Sequence, residues 1–268
     1  MAEEYDREYA KKVLKAIERR GKHRLFFRKL EVIGAENLNK SPGDKPRLLL
    51  VNHNSHADYL ITWLQCHIQK TQMPMIAAGT NLDLKLLQLM GIDFGKLGAF
   101  WVDRDKIRET PRDAVRYTRQ IRDKVGQLMK DGHDILVFPE GGRSYDGKLF
   151  TRYKTGIIKE VLRTQPDIDI VNMAFHYSPR IEEGYFTALQ IAKHLGKPGK
   201  LLYVGLDAIA FASRYLRRPE SAAYMNVGKP QPLESIAGGK GSLCDKVSAV
   251  KHHSKEEIKK LYAEISKR

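Results

Sequence analysis

What the chain lacks narrows its class. Only two cysteines, Cys66 and Cys244, occur in 268 residues, so no disulfide framework is expected and a reducing cytoplasm suits it. No run approaches the roughly 20 apolar residues of a membrane-spanning helix. Residues 201–216 come nearest, and Asp207 and Arg214 interrupt them. The opening Met1-Ala2-Glu3-Glu4-Tyr5-Asp6 is polar and acidic, without the apolar core of a secretion signal. Internal repeats and low-complexity tracts are missing too. The expectation is a chain that is soluble or rests on a membrane without crossing it.

Acid is also in short supply. Asp and Glu number 32 against 47 Lys and Arg, a formal net charge of +15. Such a surface attracts polyanions: nucleic acid, anionic lipid, phosphorylated small molecules or an acidic carrier protein. Charge alone does not choose among them. The hydrophobic share of 42% and charged share of 29% are ordinary, and a buried core is expected.

Apolar residues Tyr5, Tyr9, Val13, Leu14 and Ile17 recur at helical spacing, with Lys11, Lys12, Lys15, Arg19 and Arg20 opposite. Residues 1–28 therefore read as a basic amphipathic helical segment. Short apolar runs follow at 30–33, 48–51, 75–78, 100–102, 135–138, 168–175, 201–206 and 222–227. Helix-length patterns cover 55–69, 110–130 and 154–164. The alternation predicts an α/β fold with a mixed, largely buried central sheet flanked by helices, over residues 29–235. Residues 236–268 read as a loop and a closing helix, with Ser254 and Glu257 as its capping box before Ile258. The loop at 238–242 resembles a phosphate-binding loop only superficially, since the Gly-Lys-Ser/Thr spacing is missing.

Two strand ends concentrate chemistry. Asn52-His53-Asn54-Ser55-His56-Ala57-Asp58 leaves a strand and enters a helix. Ser55 and Asp58 alone read as a helix cap. Equally, His53 and Asp58 bracket one tight turn, where a carboxylate sets the tautomer of an imidazole and makes it a general base. His53, His56 and Asp58 have no clear further ligand nearby, so no metal is expected. Phe138-Pro139-Glu140-Gly141-Gly142-Arg143-Ser144 is a turn with a charged tip. Its glycines let backbone N–H groups approach a phosphate or an oxyanion, and Lys148, Arg152 and Lys154 add positive charge. A third stretch, Gly98-Ala99-Phe100-Trp101-Val102-Asp103-Arg104, delivers Arg104 at a strand end.

Together these blocks resemble the glycerolipid acyltransferase family, whose first block is a His separated by four residues from an Asp. The likeness extends over residues 29–228, with a degenerate fourth block around Ile170-Val171-Asn172-Met173-Ala174-Phe175. Glu140-Gly141-Gly142-Arg143-Ser144 is closer to the glycerol-3-phosphate acyltransferases than to the lysophosphatidate acyltransferases, while the short chain is more like the latter. The resemblance implies acyl transfer in phospholipid synthesis, from acyl-CoA or acyl-carrier protein to glycerol-3-phosphate or a related phosphorylated acceptor. The alternative acceptor is 1-acylglycerol-3-phosphate. It implies His53, Asp58 and Glu140 as catalytic residues, and Arg104, Gly141, Gly142, Arg143, Ser144 and Lys154 as substrate-binding ones. No cofactor is implied beyond the acyl co-substrate. An anionic membrane surface is the expected partner, on the inner face of the membrane. Two rivals are weighed. A basic nucleic-acid-binding protein has the charge, but RNP, zinc-finger and helix-turn-helix signatures are missing. An inactive scaffold has no need of the His53–Asp58 and Glu140–Arg143 pairs.

Overall fold

Each apolar run among the described residues settles into the element its length and period favour. The computed structural model of the chain describes residues 5–19, 27–40, 44–79, 93–103, 110–144, 146–179, 221–239 and 241–268. The expected strand at 201–206 and Arg104 lie outside them. The strands are β1 (Lys29–Ile33), β2 (Arg47–Val51), β3 (Met75–Gly79), β4 (Ala99–Val102), β5 (Ile135–Val137), β6 (Asp169–Ser178), β7 (Ala222–Val227) and β8 (Gln231–Pro232). The helices are α1 (Arg7–Arg19), α2 (Ala57–Ile68), α3 (Pro111–Lys130), α4 (Gly156–Thr164), α5 (Leu233–Ala237) and α6 (Leu243–Ile265), with a 3-10 turn at Ala35–Leu38.

The sheet runs β1-β7-β6-β2-β5-β3-β4, with β8 on the start of β6. Strands β2 to β6 are mutually parallel, while β7 meets β6 antiparallel and carries β1 beside it. This is the mixed α/β sheet expected from the sequence. All five residues of β2 are buried, as a parallel strand covered on both faces requires. Alternation sends Leu49 and Val51 to one core with Trp63 and Phe175, and Leu48 and Leu50 to another with Val125, Ile158 and Ile258. Helix α1 belongs to the first layer through Ala10 and Leu14, both fully buried, with Tyr5, Tyr9, Val13 and Ile17 packed around them. Its apolar face is therefore occupied by the domain.

Thr110 caps α3 by accepting the amide of Asp113, with Pro111 at the first helical position. Ile121, Val125 and Leu128 are buried as the spacing requires, whereas Ala114 and Thr118 are only half-buried. One boundary needs correcting. Helix α6 starts at Ser242, not Ser254, because Ser242 and Asp245 form the capping box. Ser254 sits fully buried inside the helix, in line with Val247, Val250, Ile258 and Leu261.

Candidate active site

Parallel strands release their following residues at a common carboxyl edge, the usual place for a site in such sheets. Because β5 and β6 flank β2, three segments converge there: 52–58 after β2, 138–144 after β5, and the end of β6. His53 is held by the second segment at both backbone groups. Its N–H donates to Glu140 Oε1 at 3.1 Å, and its carbonyl accepts the Ser144 amide at 2.7 Å. The Phe138 ring lies against the imidazole, centroids 4.2 Å apart.

His53 Nδ1 and Asp58 Oδ2 are 2.8 Å apart. The same oxygen accepts the amides of Asn54 at 2.8 Å and Ser55 at 3.0 Å, while Oδ1 accepts the Tyr177 hydroxyl at 2.6 Å. Asp58 is fully buried in the first turn of α2, where the helix dipole favours an anion. The carboxylate ties down the strand-to-helix turn and holds the imidazole with one oxygen, but the expected Ser55–Asp58 capping box is not formed: α2 starts from His56 without a side-chain cap, and the Ser55 hydroxyl accepts the Ala57 amide at 3.0 Å. Since a carboxylate only accepts, the ring proton belongs on Nδ1 and Nε2 is left with a lone pair. Burial lowers the His53 pKa below its ordinary 6.5, with the Asp58 carboxylate opposing and the nearby Arg143 guanidinium adding to the drop. A neutral imidazole at pH 7 is a competent proton acceptor. His56 Nδ1 is bonded instead to the Tyr59 hydroxyl at 3.1 Å. Among the described residues, no group of three or more His, Cys, Asp or Glu side chains is arranged to hold a metal.

The second segment is a tight turn. Gly141 has φ +67°, the left-handed conformation that favours glycine, and the Lys154 side chain lies across it, Cδ 2.6 Å from where a Cβ would stand. The Gly141 amide donates within the turn, to the Phe138 carbonyl at 3.0 Å. Gly142 is exposed, with open space where a side chain would stand. Arg143 is buried beside the dyad. The Ser144 hydroxyl donates within the turn, to the Lys148 carbonyl at 3.0 Å and Asp146 Oδ1 at 3.2 Å. Lys154 is exposed, and its amide closes the loop on the Pro139 carbonyl at 2.6 Å. Burial pushes the Glu140 carboxyl up to about 7. Folded, it binds its proton more tightly than unfolded, so this group alone subtracts stability as pH climbs from 4.5 towards 7.

Three contributors escape the sequence reading. Phe138 heads the Glu140 turn but carries no role in the sequence reading. Asn52 donates to the Phe175 carbonyl at 2.9 Å and accepts its amide at 2.7 Å. Tyr177 lies two residues beyond the degenerate fourth block, and only its period-2 spacing from Phe175 points towards α2. A cleft of about 350 Å³ opens beside these residues, bordered by Asn54, Asp146, Gly147, His176, Tyr177 and Tyr262.

A family model described as "Acyltransferase" matches residues 29–176. Human mitochondrial glycerol-3-phosphate acyltransferase 1 is 32% identical over 162 residues, which are 58% of this chain and 18% of that protein. The Rattus norvegicus protein of the same name is 31% identical over the same shares. The chain thus spans under a fifth of the length of these relatives. Among solved structures, PlsC from Thermotoga maritima, a 1-acyl-sn-glycerophosphate acyltransferase, superposes with TM-score 0.52 at 21% identity, covering 96% of this chain and 83% of that one. That likeness is one of fold.

Proposed function

Since this chain belongs to the acyltransferase family, we propose that it moves a fatty acyl group from a thioester, acyl-CoA or acyl-carrier protein, to the hydroxyl of glycerol-3-phosphate or a related phosphorylated acceptor. The observation that carries this reading is the buried His53–Asp58 pair, 2.8 Å apart, facing a Gly-Gly-Arg turn. His53 Nε2 takes the proton of the acceptor hydroxyl as its oxygen attacks the thioester carbonyl carbon. Asp58 stabilises the imidazolium. As the tetrahedral intermediate collapses, the C–S bond breaks and the thiolate leaves with the proton from His53. No side chain of this chain is acylated on that route. Arg143, Arg104 and Lys154 are assigned to the acceptor phosphate, Arg by its bidentate fork. Glu140 acts through the backbone of His53, and the amide at Gly142 is the candidate oxyanion donor.

A donor-by-acceptor activity matrix with the purified chain tests this. Transfer to glycerol-3-phosphate is expected to exceed transfer to 1-acylglycerol-3-phosphate. The reverse order would move the chain to the second step. No transfer at all, with retention on DNA or RNA at physiological salt, would favour the nucleic-acid reading.

The proposed seat is the cytoplasmic face of an anionic membrane, held peripherally; no described helix is long and apolar enough to cross one. Arg112, Arg116 and Arg119 form an exposed row on α3, with Val115 64% exposed beside it. Arg122 leaves this row: it donates to buried Glu160 on α4 at 2.6 Å. Asp113 meets Arg116 at 3.2 Å, a weak pair in an exposed setting. At about 1 kcal/mol per arginine near an anionic surface, changing all three to Gln should lower partitioning onto phosphatidylglycerol vesicles by roughly 100-fold. Changing Lys259 and Lys260 on α6 and Lys267 just beyond it to Gln should cost less. Equal losses in flotation would mean that net charge, not this row, does the binding. A loss seen only with acyl-carrier protein would make the row a carrier site.

A further inference from the structure

Both carboxylate oxygens of Asp58 are engaged, and only one faces the imidazole. Oδ2 accepts from His53 Nδ1 and from two backbone amides, while Oδ1 accepts the Tyr177 hydroxyl at 2.6 Å. Asp58 is fully buried and Tyr177 is 2% exposed. A bond this short from a hydroxyl to a carboxylate belongs to the charge-assisted class, about twice as strong as a neutral one. Tyr177 reaches Asp58 for a traceable reason. The β2–β6 ladder ends at the pair Val51 and Met173, and the Asn52 side chain extends it by both bonds to the Phe175 backbone. Asn54 adds a third bond to the Phe175 carbonyl at 2.9 Å. With Phe175 pinned, alternation puts Tyr177 on the same face of β6, over the first turn of α2. The rings of Phe27 and Phe175 stack with it at 5.8 and 6.3 Å.

We infer that Tyr177 is a positioning residue of the transfer reaction, its hydroxyl fixing the Asp58 carboxylate so that Oδ2 stays aligned with His53 Nδ1. The inference rests on His53 being the base. Without the hydroxyl, two things change. The carboxylate charge is no longer shared with a phenol, so it favours the imidazolium more strongly and His53 titrates at higher pH. The carboxylate is also freer to turn, so the imidazole is presented less consistently and turnover falls. A tyrosine that only fills space predicts neither change.

The experiment is Tyr177→Phe in the full chain, which keeps the ring between Phe27 and Phe175, with circular dichroism to report the folded fraction. kcat is expected to fall by roughly 10-fold, the lower end of what a hydrogen bond to a charged group supplies, with both KM values changing by less than about twofold. The acid limb of the kcat profile and the His53 imidazole titration followed by NMR should both move up in pH. Replacing Tyr177 by 3-fluorotyrosine, a more acidic phenol of nearly the same shape, should move the titration down and keeps the test alive if the phenylalanine variant does not fold. A titration indifferent to both replacements overturns the positioning role. A shifted titration with unaltered kcat overturns its part in the reaction. Near-normal turnover in His53→Ala would instead remove the base itself, a failure read on a different variant.

Discussion

His53→Ala is expected to lower turnover by about 10²–10⁴-fold, the usual contribution of a positioned general base. The thermal midpoint should change less than turnover: the side-chain bond to Asp58 is lost, but position 53 keeps its backbone bonds to Glu140 and Ser144, and Asp58 Oδ2 keeps the amides of Asn54 and Ser55. Asp58→Asn is expected to be severely impaired and also less stable. An asparagine has one acceptor oxygen, and Oδ2 of Asp58 now serves two backbone amides as well as the imidazole. If the amide nitrogen turns towards His53, the ring must accept there and places its proton on Nε2, the wrong tautomer for a base. For the wild type, activity should fall with decreasing pH through a limb below the ordinary 6.5 of histidine, since burial and Arg143 lower His53 against the pull of Asp58. Below that limb the imidazole is protonated and has no lone pair to offer. Turnover near wild type in His53→Ala, or a limb well above 6.5, would sink the assignment.

What the sequence discloses follows from how local each cause is. The run at 222–227 gives β7 at both ends because a strand buried on both faces is apolar throughout. The His53–Asp58 contact is legible because its partners lie five positions apart on one strand-to-helix turn. The start of α6 is not, because Ser242–Asp245 and Ser254–Glu257 are both sound capping signals and only packing selects between them. Tyr177 is 119 positions from Asp58. It meets Asp58 only because β6 lies on one side of β2, just as Glu140 meets the His53 backbone because β5 lies on the other. Strand order is a property of the assembled sheet, and no single segment encodes it. The α3 row illustrates the same limit. Four arginines at helical spacing look alike in the sequence, yet packing against α4 gives Arg122 a buried partner and leaves Arg112, Arg116 and Arg119 exposed.

The largest stability effect is expected at the opposite edge of the sheet. Asp134, fully buried just before β5, accepts the Arg47 amide at 2.9 Å and Lys40 Nζ at 2.9 Å on Oδ1, and Arg47 Nε at 2.9 Å and Nη2 at 2.7 Å on Oδ2. Arg47 in turn donates to the carbonyls of Asn37, Leu38 and Asn39 at the end of the 3-10 turn. Asp134→Ala strands two cations, the Arg47 side chain 4% exposed and the Lys40 side chain 8% exposed. Breaking a buried pair in this way costs about 3–5 kcal/mol, a large share of the roughly 5–15 kcal/mol that holds a typical domain together. Chemical denaturation should show the midpoint falling with little change in slope. Breaking the exposed Lys259–Glu256 pair should cost under about 1 kcal/mol. Removing both charges of the buried pair, with Arg47→Met and Asp134→Leu together, should cost less than Asp134→Ala, since the stranded charge and not the missing attraction dominates. Per folded molecule, turnover should stay near wild type, because Arg47 opens β2 while His53 follows its far end. A loss below about 1 kcal/mol for Asp134→Ala would mean that the cluster is hydrated and contributes little.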